Sequence, residues 1–247
     1  KIIETYRILA ADRDNITYDY GKNIKDFKGV NIDYLQEKIK LFNPNHSEKF
    51  DFPKPHGGGT AYMNTIDKDG LGVSLIQSNF HGIGSRIGVG SFGFFLHNRG
   101  CGFNLDSKHP NYLTPGRKPL HTLSPTIWSK NGSLEFIAGT RGGRYQPQLL
   151  IQTILPYIQK SDSFEEIIKE PRWVIENFSS DTISKLRFEK INNEDLEILL
   201  KKGHEVEVEN KLNKAYGPIS IIYKKDDGNF EGVCDVRVGT EKVFNSF

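Results

Sequence analysis

The 247-residue sequence has only two cysteines, Cys101 and Cys234, which lie far apart along the chain. Two cysteines exclude a disulfide framework, although a single bridge between them stays open. No apolar run approaches the ~18 residues that a membrane-spanning helix needs, and the mean hydropathy is negative. Neither sign of charge is in clear excess, since 33 Lys and Arg face 31 Asp and Glu. This balance does not favour nucleic acid or an acidic membrane surface as a partner.

The common metal and cofactor motifs are also missing. The seven histidines show no H-x-H or H-E-x-x-H spacing, and no C-x-x-C occurs, so no zinc site is predicted. Neither G-x-S-x-G nor the phosphate-binding G-x-x-x-x-G-K-[ST] is present. Residues 88–93 match G-x-G-x-x-G, but the strand-like residues 94–96 follow where a dinucleotide site needs a helix. We interpret that match as a turn and predict no cofactor.

The pattern of apolar residues predicts a layered α+β protein. Hydrophobic residues make up 36% of the sequence, enough for a sizeable core in one large domain or two small ones. Hairpins come first, helices dominate the middle, and hairpins return at the end, which is typical of α+β architecture and not of a doubly wound parallel sheet. Helices are predicted over 2–13, 32–42, 148–155, 164–169 and 193–202, and strands over 61–66, 72–78, 94–97, 126–129, 134–139, 186–189, 205–209, 219–224 and 232–236.

The first residues do not resemble a natural amino terminus. The sequence begins with Lys1 inside an amphipathic helical pattern, without an initiator Met and without a recognisable signal peptide. We therefore interpret it as a piece of a longer polypeptide, and its compartment is not predicted from this end. Residues 44–59, rich in Pro, His, Lys and Gly, are predicted to form an exposed linker.

Two glycine-rich segments carry a resemblance to a known family. Residues 57–60 (GGGT) precede a predicted strand, and residues 142–143 (GG) follow another. Residues 60–70 (TAYMNTIDKDG) resemble the start of the small subunit of the gamma-glutamyltranspeptidase family, in which a strand beginning with Thr leads into a D-x-x-G turn. Four more segments match this family in collinear order: 10–13 (AADR) resembles the end of its large subunit, 115–126 its proline-and-serine segment, 139–143 its glycine pair and 170–172 (EPR) a later signature.

The resemblance implies the N-terminal-nucleophile fold, a four-layer αββα sandwich, and maturation by self-cleavage. Residues 1–59 would be the end of the large subunit with its linker, and residues 60–247 the small subunit. The rest of the large subunit is missing from the sequence, so a partner polypeptide is expected, as a heterodimer or a dimer of heterodimers. The family is largely periplasmic or extracellular.

The resemblance also implies a mechanism. Thr60 would cleave the bond after Gly59 and then act as nucleophile on a small-molecule amide, either a γ-glutamyl or a related acyl compound. Its freed α-amine would serve as the general base, which requires no His-Asp pair. Gly142 and Gly143 occupy the family's oxyanion-hole positions, and Ser78 matches a Thr that hydrogen-bonds the nucleophile.

The positions that recognise the glutamyl group depart from the family pattern. Arg99 replaces a Gln or Glu, and Gly102 replaces the Asp that binds the substrate's α-ammonium group. His121 and Thr122 align with the paired serines that hold the α-carboxylate. A γ-glutamyl zwitterion is therefore predicted to bind poorly, whereas an acyl group with a negative charge and no ammonium would suit Arg99. A structural salt bridge is the alternative role for Arg99.

Two other functions stay open from the sequence. An uncleaved or non-catalytic homologue could serve as a binding or assembly subunit, but the presence of Thr60, Ser78 and the glycine pair favours catalysis. A nucleic-acid-binding module is a more distant interpretation, because the basic pairs Arg141/Arg144 and Lys201/Lys202 are more simply explained as solvated faces.

Overall fold

Three β-sheets and five α-helices organise the described part of the chain. The structure, a computed structural model, describes residues 1–21, 29–47, 59–176, 185–239 and 243. The helices are α1 (Ile2–Ile16), α2 (Ile32–Ile39), α3 (Gln146–Ile158), α4 (Phe164–Ile167) and α5 (Asn193–Lys201). The strands are β1 (Thr60–Ile66), β2 (Gly72–Ser78), β3 (Thr126–Lys130), β4 (Ser133–Thr140), β5 (Trp173–Glu176), β6 (Lys185–Phe188), β7 (Val206–Val208), β8 (Ile219–Lys224) and β9 (Phe230–Cys234).

The sheets have simple topologies. Strands β1 and β2 form an antiparallel hairpin, and β3-β4-β8-β9 form an antiparallel four-stranded sheet. The third sheet has the order β5-β6-β7, in which β6 and β7 are parallel. The sheets are mainly antiparallel, and apart from α5, which connects the parallel strands β6 and β7, helices and strands occur in separate runs of the chain; this confirms the predicted α+β class.

The β1-β2 hairpin is set by the turn that joins its strands. The Asp67 carboxylate accepts hydrogen bonds from the N–H groups of Asp69 (2.9 Å) and Leu71 (2.8 Å). Gly70 has φ +85°, a left-handed conformation that glycine adopts without steric cost. The turn fixes the register of the hairpin. Ile66 pairs with Gly72, and this pair determines all the others up to Thr60 with Ser78.

Alternate residues of β4 face two different packed layers. Gly139 lies against the ring of Tyr62 in the hairpin, so closely that a Cβ at this glycine would come within 2.1 Å of the ring. Phe136 and Ala138, which have the opposite parity, belong to the core formed with α3 and α4. Helix, sheet and hairpin thus form three successive layers, as in part of the predicted αββα sandwich. The outer face of the hairpin is exposed and apolar, with Met63, Leu71, Val73 and Leu75 each 47% or more accessible.

A second core joins the start of the chain to its later part. Ile3, Tyr6 and Ala10 of α1 pack on Ile175 and Leu186 of the third sheet. Beside this core lies a buried polar cluster, which we define as Glu4, Arg7, Ser47 and His204. Arg7 donates to Glu4 at 2.8 Å and also to the Ser47 hydroxyl, and His204 Nε2 lies 3.2 Å from the Glu4 carboxylate. The Ser47 N–H donates to the carbonyl of Lys202 at 2.8 Å.

The cluster predicts a pH dependence of stability. Burial, together with the charges of Arg7 and Lys202, lowers the pKa of His204 to about 4 against the opposing effect of Glu4. Because the unfolded chain protonates this histidine near its ordinary pKa of 6.5, the unfolded state binds more protons between these two pH values. The contribution of His204 to the free energy of unfolding is therefore complete above pH 6.5 and is lost as the pH falls towards 4, with a slope of at most about 1.4 kcal/mol per pH unit.

Urea unfolding of His204→Gln between these two pH values tests the prediction. The difference in stability between the wild type and this variant should shrink as the pH falls. His46→Gln, which alters an exposed histidine, should leave the pH dependence unchanged. A parallel pH dependence in the wild type and His204→Gln would contradict the prediction.

The structure departs from the predicted elements in several places. The strand predicted over 94–97 is wrong, since Phe95 forms only an isolated bridge with Gly88 and its neighbours are exposed. Strand β5 was not predicted, and α1 and α3 are longer than their periodicity indicated. Most of the predicted linker, residues 48–58, lies outside the described residues. Cys101 and Cys234 are not joined by a disulfide. Among the described residues, no helix combines the length and apolar character needed to cross a bilayer.

Candidate active site

Thr60 and Ser78 lie opposite each other at the open end of the β1-β2 hairpin. Thr60 is the first residue of β1 and Ser78 is the last of β2, and the register pairs them directly. The Thr60 hydroxyl donates to Ser78 Oγ at 2.9 Å. Both side chains are half-buried on the face of the hairpin that packs against the four-stranded sheet. The pair thus combines a hydroxyl group with a hydrogen-bonding partner at the end of a rigid element.

The Ser78 hydroxyl also contacts the bond that precedes Thr60. It donates to the carbonyl oxygen of Gly59 at 3.1 Å, and it accepts from the N–H of Phe80 at 3.1 Å. Ser78 Oγ also accepts the hydrogen bond from Thr60. Its single donor position and both of its acceptor positions are therefore used, which is the full capacity of a hydroxyl group. Ser78 therefore orients the Thr60 hydroxyl and polarises the Gly59 carbonyl at the same time.

Gly59 occupies a position that no larger residue fits. A Cβ built there would lie 2.8 Å from the carbonyl oxygen of Gly82. Any substitution at residue 59 therefore requires a shift of the backbone. Gly57 and Gly58, which precede it in the predicted cleavage segment, lie outside the described residues.

Gly142 and Gly143 lie at the same end of the sheet as Thr60. The far end of the hairpin, at Gly72, packs on Leu134 near the start of β4 and on Ile137 in its middle, whereas Tyr62 packs on Gly139 near its end. Strands β1 and β4 therefore run in opposite directions, and the residues just after β4 approach the start of β1. Gly142 and Gly143 have φ values of +123° and +56° and open the 3-10 turn that leads into α3. The first N–H groups of a helical turn have no intrahelical acceptor, so they are available to a developing negative charge.

The segment that leads into this glycine pair packs against residues from a distant part of the chain. The Thr140 hydroxyl donates to the carbonyl of Pro218 at 2.7 Å. Gly217 packs so tightly that a Cβ there would lie 2.4 Å from the Arg141 carbonyl oxygen. Buried Arg172 in turn donates to the Gly217 carbonyl at 2.7 Å. Burial lowers the pKa of Arg172 to about 10, against the effect of its partner Asp235, so its guanidinium stays charged at neutral pH.

Arg99 lies in the loop that packs on the turn after Ser78. This turn includes Phe80, a non-glycine residue with φ +76°, and it is held by Asn98, whose side chain accepts from the His81 N–H at 3.0 Å. The Arg99 guanidinium stacks over the Phe80 ring with its centre 5.2 Å from the ring centroid. Its side chain is buried, and neither Nη1 nor Nη2 has a hydrogen-bond partner among the described residues.

The other predicted substrate-binding residues, His121 and Thr122, differ in exposure. Partial burial and the charge of Arg99 lower the pKa of His121, which places its exposed imidazole within electrostatic range of the guanidinium. Thr122 is buried. Gly102 lies near Leu120, and a Cβ there would meet the Leu120 carbonyl oxygen at 3.4 Å, an ordinary contact. A Cβ therefore fits at residue 102 without a shift of the backbone.

Two residues that shape this region, Phe80 and Asn98, were not predicted from the sequence. The Phe80 N–H positions the Ser78 hydroxyl, and Asn98 bridges the turn to the Arg99 loop. Asn98 directly precedes Arg99, a predicted recognition position, and this place in the chain was the signal available for it. Nothing in the sequence distinguishes Phe80. In the described parts of the chain, no group of three His, Cys, Asp or Glu side chains is arranged to hold a metal ion.

Comparison with known sequences identifies the family. The sequence profile described as gamma-glutamyltranspeptidase matches residues 1–244. The glutathione hydrolase-like YwrD proenzyme of Bacillus subtilis is 35% identical over 74% of this chain and 35% of its own length. The oxamate amidohydrolase proenzyme of Klebsiella pneumoniae is 33% identical over 74% of this chain and 36% of its own length. The chain thus spans little more than a third of the length of these relatives.

Solved structures share the fold. Cephalosporin acylase from Bacillus halodurans superposes with a TM-score of 0.76 at 25% identity, covering 96% of this chain and 44% of that protein. Gamma-glutamyltranspeptidase from Pseudomonas nitroreducens gives a TM-score of 0.62 at 21% identity, covering 74% of this chain and 99% of the matched one. The chain belongs to the gamma-glutamyltranspeptidase family.

Proposed function

We propose that this chain is the catalytic part of a self-cleaving amide hydrolase or acyltransferase in which Thr60 is the nucleophile. The observation that carries the proposal is the contact of one Ser78 hydroxyl with both the Thr60 hydroxyl and the Gly59 carbonyl oxygen. A Thr in an ordinary strand would not need a partner that also polarises the peptide bond preceding it. The proenzyme relatives and the family match support the same reaction.

Self-cleavage follows from this geometry in two steps. Thr60 Oγ1 attacks the Gly59 carbonyl carbon, the C–N bond breaks, and the nitrogen takes up a proton to become the α-amine of Thr60. Water then hydrolyses the resulting ester, which leaves a carboxylate on Gly59 and restores the Thr60 hydroxyl. The Gly59 carbonyl is polarised throughout the first step by the Ser78 hydrogen bond.

The freed amine supplies the base for turnover. An α-amino group has an ordinary pKa of about 7.7–8.0 and can accept the Oγ1 proton near neutral pH. Attack on a substrate amide forms an acyl-enzyme and releases the amine, and water or another amine then takes the acyl group. The N–H groups of Gly142 and Gly143 would stabilise the oxyanion, because they lie at the Thr60 end of the sheet and open a helical turn.

The acyl group of the substrate should differ from the glutamyl group of glutathione. Gly102 offers no carboxylate to an α-ammonium group, and the charges nearby are those of Arg99 and the titratable His121. One relative is named an oxamate amidohydrolase, and oxamate carries a carboxylate but no ammonium group. We propose that Arg99, His121 and Thr122 bind such an acyl group.

Restoring an acid at residue 102 should increase turnover of γ-glutamyl substrates. Gly102→Asp introduces a carboxylate at a position where the added Cβ makes only ordinary contacts. A charge-assisted hydrogen bond to the α-ammonium is worth about 1.5–3 kcal/mol, or roughly tenfold or more in kcat/KM. The measurement is glutathione hydrolysis by the wild type and the variant.

Gly100→Asp is the matched control. It adds the same charge two residues away in the same loop, at a position where an added Cβ would have no atom within 4 Å. Glutathione hydrolysis should respond to Gly102→Asp alone. An equal effect of both variants would show that general charge, and not position 102, determines the change.

We further propose that a large-subunit polypeptide completes this chain, as a heterodimer or a dimer of heterodimers. The exposed apolar face of the hairpin, with Met63 and Leu75, is the surface such a polypeptide would cover. An apolar cavity of about 590 Å³, lined by residues of α1, α2 and α3, offers a second contact region. The proenzyme names of the relatives support the same arrangement.

Intact mass and N-terminal sequencing of the purified protein test the proposed function. A fragment that begins Thr60-Ala61-Tyr62 would support self-cleavage and Thr60 as the nucleophile. A single chain that stays intact on long incubation would instead favour a non-catalytic homologue with a binding or assembly role. Copurification of a second polypeptide would support the proposed partner.

A further inference from the structure

Arg99 is a buried cation that has no counterion among the described residues. It is 6% exposed, and both terminal nitrogens of its guanidinium lack a hydrogen-bond acceptor among the described residues. The sequence left open a structural salt bridge for this residue. Among the described residues, no carboxylate forms a salt bridge with Arg99, and its guanidinium stacks on the Phe80 ring.

An unpaired buried guanidinium is energetically unfavourable in the absence of a ligand. Burial lowers the pKa of Arg99, which reflects the cost of removing its charge from water. Buried charges are normally compensated by a counterion or by hydrogen bonds. An anion that binds here would satisfy the two free nitrogens, and a carboxylate matches their planar geometry with two parallel hydrogen bonds.

The guanidinium lies near the proposed nucleophile. Arg99 stacks on Phe80, the Phe80 N–H binds Ser78 Oγ, and Ser78 Oγ binds the Thr60 hydroxyl. Three successive contacts therefore connect the cation to the hydroxyl group that would attack the substrate. The terminal nitrogens of Arg99 make no hydrogen bond with the described residues. The guanidinium can therefore turn towards a bound anion without breaking a hydrogen bond to them.

The groups near Arg99 favour an anion and disfavour a zwitterion. The pKa of His121 is lowered in part by Arg99, which shows that the imidazole faces the same positive potential. Gly102, in the same 3-10 turn as Arg99, contributes no acidic side chain. An ammonium group beside the bound carboxylate would meet this positive potential without a compensating charge.

We propose that Arg99 is the specificity-determining residue of the site and binds the free carboxylate of a dicarboxylic acid monoamide, a substrate with one carboxylate, one amide and no ammonium group. This inference rests on the proposed function, since it places the amide at Thr60. The amide carbonyl would be attacked by Thr60 while the carboxylate at the other end of the acyl chain is held by the guanidinium.

Three probes separate the contributions of the two charges. Glutaramate carries the carboxylate alone, L-glutamine adds an α-ammonium group, and butyramide lacks both. Binding is measured by calorimetry on the purified protein with Thr60→Ala, which prevents turnover and makes the readout independent of catalysis. Arg99→Gln is then added, with Arg86→Gln as the control, because Arg86 is an exposed arginine close by in the chain.

Glutaramate should bind more tightly than L-glutamine or butyramide, and Arg99→Gln should weaken its binding by about 10- to 100-fold, as expected for a hydrogen-bonded ion pair. Arg86→Gln should leave its binding unchanged. The thermal midpoint without ligand should stay the same or rise in Arg99→Gln, because an unpaired buried charge is removed.

Equal affinity of glutaramate for the Arg99 and Arg99→Gln proteins would overturn the proposal. A fall in thermal midpoint in Arg99→Gln with no change in glutaramate binding would also overturn it, and would assign Arg99 to a structural ion pair. A failure of the proposed function has a different signature: the Thr60→Ala protein would still be cleaved before residue 60 or would still hydrolyse amides, whatever the binding results.

Discussion

Replacement of Thr60 by alanine should abolish cleavage of the Gly59–Thr60 bond and reduce amide hydrolysis by roughly three orders of magnitude or more. The variant loses the atom that forms the acyl-enzyme, and the uncleaved chain never exposes the α-amine proposed as base. Ser78 cannot replace it, because the Ser78 hydroxyl already donates to the Gly59 carbonyl oxygen. The measurement is intact mass over time, followed by hydrolysis of an amide substrate.

Two variants make this test specific. Thr60→Ser keeps the hydroxyl and should restore cleavage at a reduced rate. Thr65→Ala changes the same residue type in the same strand, but on the exposed face of the hairpin, and it should cleave normally. Cleavage before residue 60 in Thr60→Ala would show that another group is the nucleophile.

Replacement of Arg237 by methionine should destabilise the protein by about 3–5 kcal/mol, the usual cost of removing one partner from a buried ion pair. The Arg237 side chain is fully buried and donates to Glu189 through Nε at 2.7 Å and also through Nη2. It also donates to the carbonyl of Glu170 at 2.7 Å. After the change Asp235 would keep its ion pair with Arg172, whereas Glu189 would lose the Arg237 guanidinium and keep hydrogen bonds from the backbone N–H groups of Arg172 and Asn213.

Chemical unfolding of Arg237→Met and of Lys169→Met measures this difference. Lys169 pairs with Glu166 at 3.0 Å on the surface, where both side chains are more than half exposed. Its replacement should cost less than about 1 kcal/mol. Similar losses in the two variants would show that the buried network contributes no more than an exposed pair.

The pairing of Thr60 with Ser78 could be predicted because it depends on local signals. The turn around Asp67 and Gly70 is recognisable in the sequence, and once it is placed, counting outward from Ile66 and Gly72 brings Thr60 opposite Ser78. The glycine pair after β4 was also found from its position in the sequence. The first feature involves residues that are close together in the sequence, and the second is a short motif with a fixed place in the order of the family's motifs.

Features that depend on distant partners could not be predicted. Phe94, Phe95 and Leu96 have strong strand propensity, but in the described structure their pairing is limited to an isolated bridge between Phe95 and Gly88, and their side chains stay exposed. The role of Arg99 likewise depended on whether the fold would bring a carboxylate to it. The network around Arg237 joins residues up to 69 positions apart, a separation that no local pattern reveals.

The contacts between α1 and the third sheet have a consequence for the proposed cleavage. While the Gly59–Thr60 bond is intact, the segment from residue 1 to residue 47 and the rest of the fold belong to one chain, and their association is unimolecular. If the bond is cleaved as proposed, the buried cluster of Glu4, Arg7, Ser47 and His204 and the apolar contacts of Ile3 and Tyr6 would have to hold two separate chains together. The proposed cleavage would thus replace the entropy cost of closing a loop by that of a bimolecular association, and the integrity of the cleaved protein would depend on its concentration.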